Sequence, residues 1–224
     1  MRVRKNLLDA TVMTEIYPIR LYGDPVLRKK ALPVRDFSGI QQVAERMIET
    51  MFEARGVGLA APQVGLGLRL FVAAELEVPP AGDNEPPEDS LEEEELEEEE
   101  APVDLRAQAK HIYVMVNPVI LEREGLQVGT EGCLSLPGLY SEEVPRDDRV
   151  VVEYQDQHGE KKSLEAQGYL ARVIQHEIDH LDGVLFFQRL PKDKKQEFLE
   201  KYREELAAIQ RDAKAFLREL KAGS

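Results

Sequence analysis

The chain has no tryptophan, one cysteine and four histidines in 224 residues, and only 6% of it is aromatic. A single cysteine excludes an internal disulfide framework, and a thiol needed in reduced form fits a reducing, cytoplasmic setting. No apolar run reaches the roughly 20 residues that cross a bilayer, and the N-terminus lacks an apolar signal core, so no membrane partner is expected. There is no basic excess to recommend a sequence-specific nucleic-acid partner. The formal net charge is −14, but fourteen of the 43 acidic residues and no Lys or Arg lie between Glu75 and Glu100, leaving 29 acids to balance 29 bases. The body of the protein is therefore neutral, and its acidity says nothing about a substrate.

The length suits one domain with a sizeable core. Residues 1–13 read as a disordered leader, in which Asp9 and the lack of serine argue against an organelle transit peptide. That favours a bacterial source without closing off an organelle. Residues 14–191 read as the domain that carries the chemistry, interrupted by an insertion at about 77–108, and residues 192–224 as a C-terminal helix. The insertion holds Pro79-Pro80, Pro86-Pro87 and the near-continuous run Glu92–Glu100, and blocks of like charge repel and stay solvated.

Ser38 is placed to cap a helix whose apolar residues Ile40, Val43, Met47 and Met51 recur at three and four, ending near Gly56. Leu68–Ala74, Ile112–Val116, Gly125–Val128, Val150–Tyr154 and Lys161–Ala166 read as strands, the last two joined through Gln157-His158-Gly159. His158 is thus a turn residue, and His111 sits beside the insertion with no partner in view. Strands first, with helices at the ends and one across the middle, indicate an α+β domain. From Lys192 to Lys221, Leu199, Tyr202, Leu206, Ile209, Ala213, Phe216 and Leu220 alternate at three and four, a heptad seam. It serves packing on its own domain, a homodimer, or docking to a ribosome or other partner, so monomer and homodimer both stay open.

Two of the four histidines fall in His176-Glu177-Ile178-Asp179-His180. Positions four apart share a helix face, so both imidazoles can aim at one metal ion. A catalytic centre of this type takes three protein ligands and leaves a fourth position for water, and Cys133 in Glu131-Gly132-Cys133-Leu134-Ser135 can supply the third as a thiolate. Glu177 stands where a general base would reach that water. Taken singly, each residue has an ordinary reading as core or surface; their joint pattern is hard to attribute to composition. A zinc peptidase is the first alternative. Gly183 fits one branch of it, but its third ligand position is Phe186, and a ligand from Glu197, Glu200 or Glu204 would leave Cys133 unexplained.

A third segment, Gly56-Val57-Gly58-Leu59-Ala60-Ala61-Pro62-Gln63, has glycines that let a backbone approach a ligand closely. The three segments together resemble the peptide deformylases, from about Ile16 to about Arg189 apart from the insertion. The resemblance implies antiparallel sheets wrapped around a central metal-bearing helix, and removal of the formyl group from the N-terminal formyl-methionine of nascent peptides, releasing formate. It implies Cys133, His176 and His180 as metal ligands, Glu177 as catalytic acid and base, and Gln63 with the N–H of Leu134 as the oxyanion donors. It also implies Fe2+ as the working ion; Zn2+, Ni2+ and Co2+ accept the same donors. Tyr169 and Val173 share the stripe of His176 and His180, and Val57 matches another wall of the substrate pocket. Arg172 replaces the apolar residue expected beside them. Substrate main chain is expected to pair around Gly58 and around Gly138-Leu139-Tyr140 as an added strand. Glu131 is placed to pair with Arg146 and brace the Cys133 loop, and Asp179 to hydrogen-bond behind the ligands.

Overall fold

The computed structural model describes residues 16–77 and 104–222, so the expected leader and most of the acidic insertion lie outside the described residues. A five-stranded sheet, wholly antiparallel, has the order β1-β2-β3-β6-β7, from Gly58–Ala60, Leu70–Leu76, Ala109–Glu124, Arg149–Gln155 and Lys161–Gln167. Its two faces are covered by different helices. Helix α1, Ile40–Glu53, buries Ile40, Ala44, Met47 and Met51 on one face, against Leu70, Val72 and Ala74 of β2. Helix α2, Gly168–Leu181, buries Ala171, Ile174, Ile178 and Leu181 on the other, against Phe71 and Ala73. Side chains alternate across a strand, so a strand buried on both faces has to be apolar at every position, as the run Leu70-Phe71-Val72-Ala73-Ala74 is.

Strand β3 is longer than the sequence pattern indicated because Asn117, at φ 53°, turns it without ending it. The Asn117 amide accepts from Val34 N–H at 2.8 Å and donates to Val34 O and Gln155 Oε1, both at 2.9 Å, which holds this costly left-handed conformation. Up to Val116 β3 pairs with β2, and from Val116 onward it pairs with β6.

The remaining strands, β4 at Gln127–Cys133 and β5 at Leu136–Arg146, form a separate antiparallel pair. The expected strand at Gly125–Val128 starts two residues later, at Gln127 of β4, with Gly125 at φ 69° between β3 and β4. Strand β5 was hidden in the sequence by Pro137, Gly138 and Pro145, residues that only an edge strand or a bulged ladder accepts. The first helix also departs from expectation: its N-cap is Gly39 at φ 80°, and Ser38 makes no cap.

The C-terminal segment is two helices, α3 at Lys192–Lys201 and the long α4 at Arg203–Ala222, broken at Tyr202. Phe198, Tyr202, Leu206 and Ile209 pack with Leu136, Leu139, Phe186 and Phe187 in a third cluster. The apolar stripe is therefore occupied by the chain's own domain; only its ends, Leu199 and Leu220, are exposed.

Candidate active site

Helix α2 carries His176, Glu177 and His180 on the side facing the β4-β5 turn, where Cys133 ends β4. The Cys133 sulfur and the two histidine nitrogens lie within 4.8 Å of one another, and Sγ is 3.2 Å from His180 Nε2. One thiol and two imidazoles suit a borderline-soft divalent ion. The fit extends to the surroundings. His176 Nδ1 is 2.9 Å from Glu131 Oε2, which orients the ring and leaves Nε2 for the ion. Ser135 N–H donates to Sγ at 3.4 Å and holds the sulfur in place. Burial, then the neighbouring His176, push His180 well below the usual imidazole range, toward the neutral form that coordinates. His180 Nδ1 is buried with no partner.

Behind the histidines runs a buried ionic network. Arg146 holds Glu131 with two bonds of 2.7 and 2.8 Å and donates to Asp179 Oδ2 at 2.6 Å. This is the expected Glu131–Arg146 pair, and Asp179 joins it through Arg146. Arg172 donates to Glu131 Oε1 at 2.9 Å and to Val144 O at 2.9 Å, so the residue that looked out of place in an apolar pocket is a third member of the network. Burial opposes ionisation of Glu131, but the bonds from Arg146 and His176 prevail and bring its carboxyl down to about 2.

Glu177 has the opposite environment. It is 3% exposed, Oε2 has no partner, and burial pushes its carboxyl up to about 7. A carboxyl in that range can take up and release a proton near neutral pH. Gly58 lies directly against it: a Cβ at 58 would stand 2.3 Å from Glu177 Oε1. Gly56 has the same relation to Leu134, with 2.8 Å to Cδ1. The glycines of this segment thus make room for protein side chains, a role that their spacing alone did not reveal.

Gln63 is buried in the turn after β1. Its Oε1 accepts from Ala60 N–H at 2.8 Å, which fixes the amide so that Nε2 points at Cys133 Sγ, 3.6 Å away, and at Ser135 Oγ, 3.4 Å away. Ser135, fully buried, had no distinguishing signal in the sequence. Val57, Gly58, Gln63, Cys133, Leu134, Gly138, Tyr140, Tyr169, Val173, His176 and Glu177 all line one cleft of about 720 Å³. Gly138 is at φ 76°, and Tyr140 is 48% exposed. Phe186, at the position where one peptidase branch has a histidine, stacks on His176. Glu197, Glu200 and Glu204 are exposed on α3 and α4. His111 packs on the Tyr113 ring, and His158 is in the β6-β7 turn.

An antiparallel α+β domain that presents two imidazoles, a thiol and a buried carboxyl to one cleft has the make-up of a mononuclear metallohydrolase. The sequence profile of the family described as polypeptide deformylase matches residues 16–196. The chain is 60% identical over 208 residues to a peptide deformylase of Thermus thermophilus, covering 93% of this chain and 100% of the relative. It is 38% identical over 189 residues to one of Thermodesulfovibrio yellowstonii, covering 84% and 97%. A crystal structure of peptide deformylase from Thermus thermophilus superposes with a TM-score of 0.74 at 57% identity, covering 88% of this chain and 99% of that one. The chain belongs to the polypeptide deformylase family, which is metal-dependent, and Cys133, His176 and His180 form its candidate metal site.

Proposed function

We propose that this cleft hydrolyses the N-terminal formyl amide of nascent peptides, with Glu177 carrying the proton and Gln63 and the Leu134 N–H receiving the oxyanion. Family membership supplies the reaction: removal of the N-formyl group from newly synthesised polypeptides, releasing formate. The observation that carries the assignment of roles is the buried, unpartnered Glu177 carboxyl beside the Cys133, His176 and His180 donors.

A divalent ion held by those three residues supplies, when bound, Lewis-acid chemistry and water of lowered pKa. Glu177 accepts a proton from the attacking water and returns it to the departing amine, for which its carboxyl, raised to about 7, is matched. Gln63 Nε2, held in direction by the Ala60 N–H, meets the charge that collects on the former formyl oxygen; as a neutral amide it adds no charge beside Glu177. Val57, Tyr169 and Val173 form the apolar walls for the methionine side chain, and Gly58 with Gly138 and Tyr140 offers main chain and an aromatic face to the residues that follow.

Fe2+ is proposed as the working ion, with Zn2+, Ni2+ or Co2+ as substitutes, on the family resemblance and the soft donor set. A cytoplasmic or organellar site of action is proposed, where nascent formylated peptides are made; among the described residues no helix is long and apolar enough to cross a membrane. The deciding experiment is formate release from a formyl-methionyl peptide by anaerobically prepared protein with its metal quantified. Glu177→Gln should abolish turnover with the metal retained. Cleavage of an unformylated peptide would instead support a peptidase.

A further inference from the structure

The charge lining the cleft is almost entirely buried. Glu131 and Arg172 bond one another, and Glu177 lies beneath Gly58. Among the described lining residues, Arg55 alone carries an exposed charged side chain. Its backbone is also uncommon, with φ 56°. Helix α1 closes with Gly56 N–H donating to Met51 O at 2.8 Å and Arg55 N–H to Phe52 O at 2.9 Å, the paired bonds of a Schellman ending. The left-handed position of that ending is usually glycine, because a β-carbon there is unfavourable. Here the glycine comes one residue later, where Leu134 demands it, and an arginine occupies the strained place.

Arg55 lines the cleft together with Ala54 and Leu105 and is itself exposed. No described group pairs with it by hydrogen bond or salt bridge. Lys201, which does not line the cleft, is differently placed: its Nζ stands 5.5 Å over the Tyr140 ring and 4.7 Å over the Tyr202 ring. Backbone strain kept at a ligand-lining position points to a use for the residue that sits there. A guanidinium with its donors free pairs with carboxylates and phosphates, and of these a peptide substrate supplies the carboxylate.

We propose that Arg55 is a specificity-determining residue that pairs with an acidic side chain just downstream of the formyl-methionine. Acidic N-terminal segments are then processed faster than basic ones. This rests on the deformylation reading above. An exposed pair of this kind is worth about a two- to fivefold change in kcat/KM at low ionic strength, diminishing in high salt.

The test compares kcat/KM for formyl-Met-Ala peptides carrying Glu or Lys at the second or third residue, using the metal-loaded full chain. A Glu-over-Lys ratio of about two to five is expected, falling to near one in Arg55→Gly and inverting in Arg55→Glu, with Arg55→Lys keeping part of it. Arg55→Gly relieves the backbone while removing the charge, and each ratio is taken within one variant, so a general loss of activity does not enter it. A wild-type ratio of one, or a preference that survives in Arg55→Gly, overturns the proposal. Failure of every formylated peptide to release formate would overturn the deformylation reading instead.

Discussion

At the scale of single residues, the site depends on what each side chain is prevented from doing. Gln63 could rotate its amide and turn its oxygen toward Cys133, but the Ala60 N–H at 2.8 Å selects the orientation with Nε2 inward. Gln63→Leu is expected to lower turnover on the order of a hundredfold with metal content intact, measured by formate release beside metal analysis. Gly58 sets the position of Glu177 by having no side chain. Gly58→Ala would drive a methyl group into the space of Oε1, and a displacement of about 1 Å is expected to lower turnover on the order of a hundredfold in a protein that still folds and binds metal. Unchanged turnover in either variant would remove that residue from the assigned role.

At the scale of elements, helix α2 and the β4-β5 pair are joined by charge more than by apolar contact. Glu131 on β4 receives Arg146 from β5 and Arg172 from α2, and its second oxygen meets His176. Removing one member of such a cluster leaves a buried charge uncompensated, at about 3–5 kcal/mol. Glu131→Ala is therefore expected to lose metal on dialysis and to unfold at lower urea concentration than the parent. Arg172→Met should be milder than Arg146→Met in the same urea titration, because Glu131 keeps its two-bond partner in the first and loses it in the second. Equal effects would mean that the bidentate geometry contributes nothing particular.

At the scale of the molecule, α3 and α4 complete the core. Phe198, Tyr202, Leu206 and Ile209 are each less than 9% exposed, and burying a large apolar side chain contributes about 1.5–3 kcal/mol. Their sum is comparable to the whole stability of an ordinary domain. A chain truncated after Arg189 is expected to melt well below the full chain and to associate through the uncovered Leu136, Leu139 and Phe187; a truncated chain that sediments as a stable monomer would show the helices to be dispensable. The acidic insertion is a different case. Glu77 N–H donates to Gln108 O at 2.9 Å, so the insertion leaves and re-enters the fold at one closed point between β2 and β3. Replacing residues 78–103 with a short linker is expected to leave deformylation nearly unchanged, as judged by kcat/KM.

What was legible in the sequence was mostly short-range. A helix repeats every 3.6 residues, so His176 and His180 had to share a face, and Glu177 had to lie beside the first of them. The helices, most strands and the neutral body behind an acidic insertion followed from equally local patterns. Two long-range pairings were also legible, Cys133 with the histidines and Glu131 with Arg146, because the three motifs together carried them. Tertiary structure decided the remaining contacts: it enlisted Arg172 for Glu131 where an apolar wall was expected, and folded the heptad stripe back on its own domain. It also showed that Gly58 is small for the sake of Glu177. Periodicity is a property of one element, whereas a contact requires two, and the second partner is chosen by the packing of the whole chain.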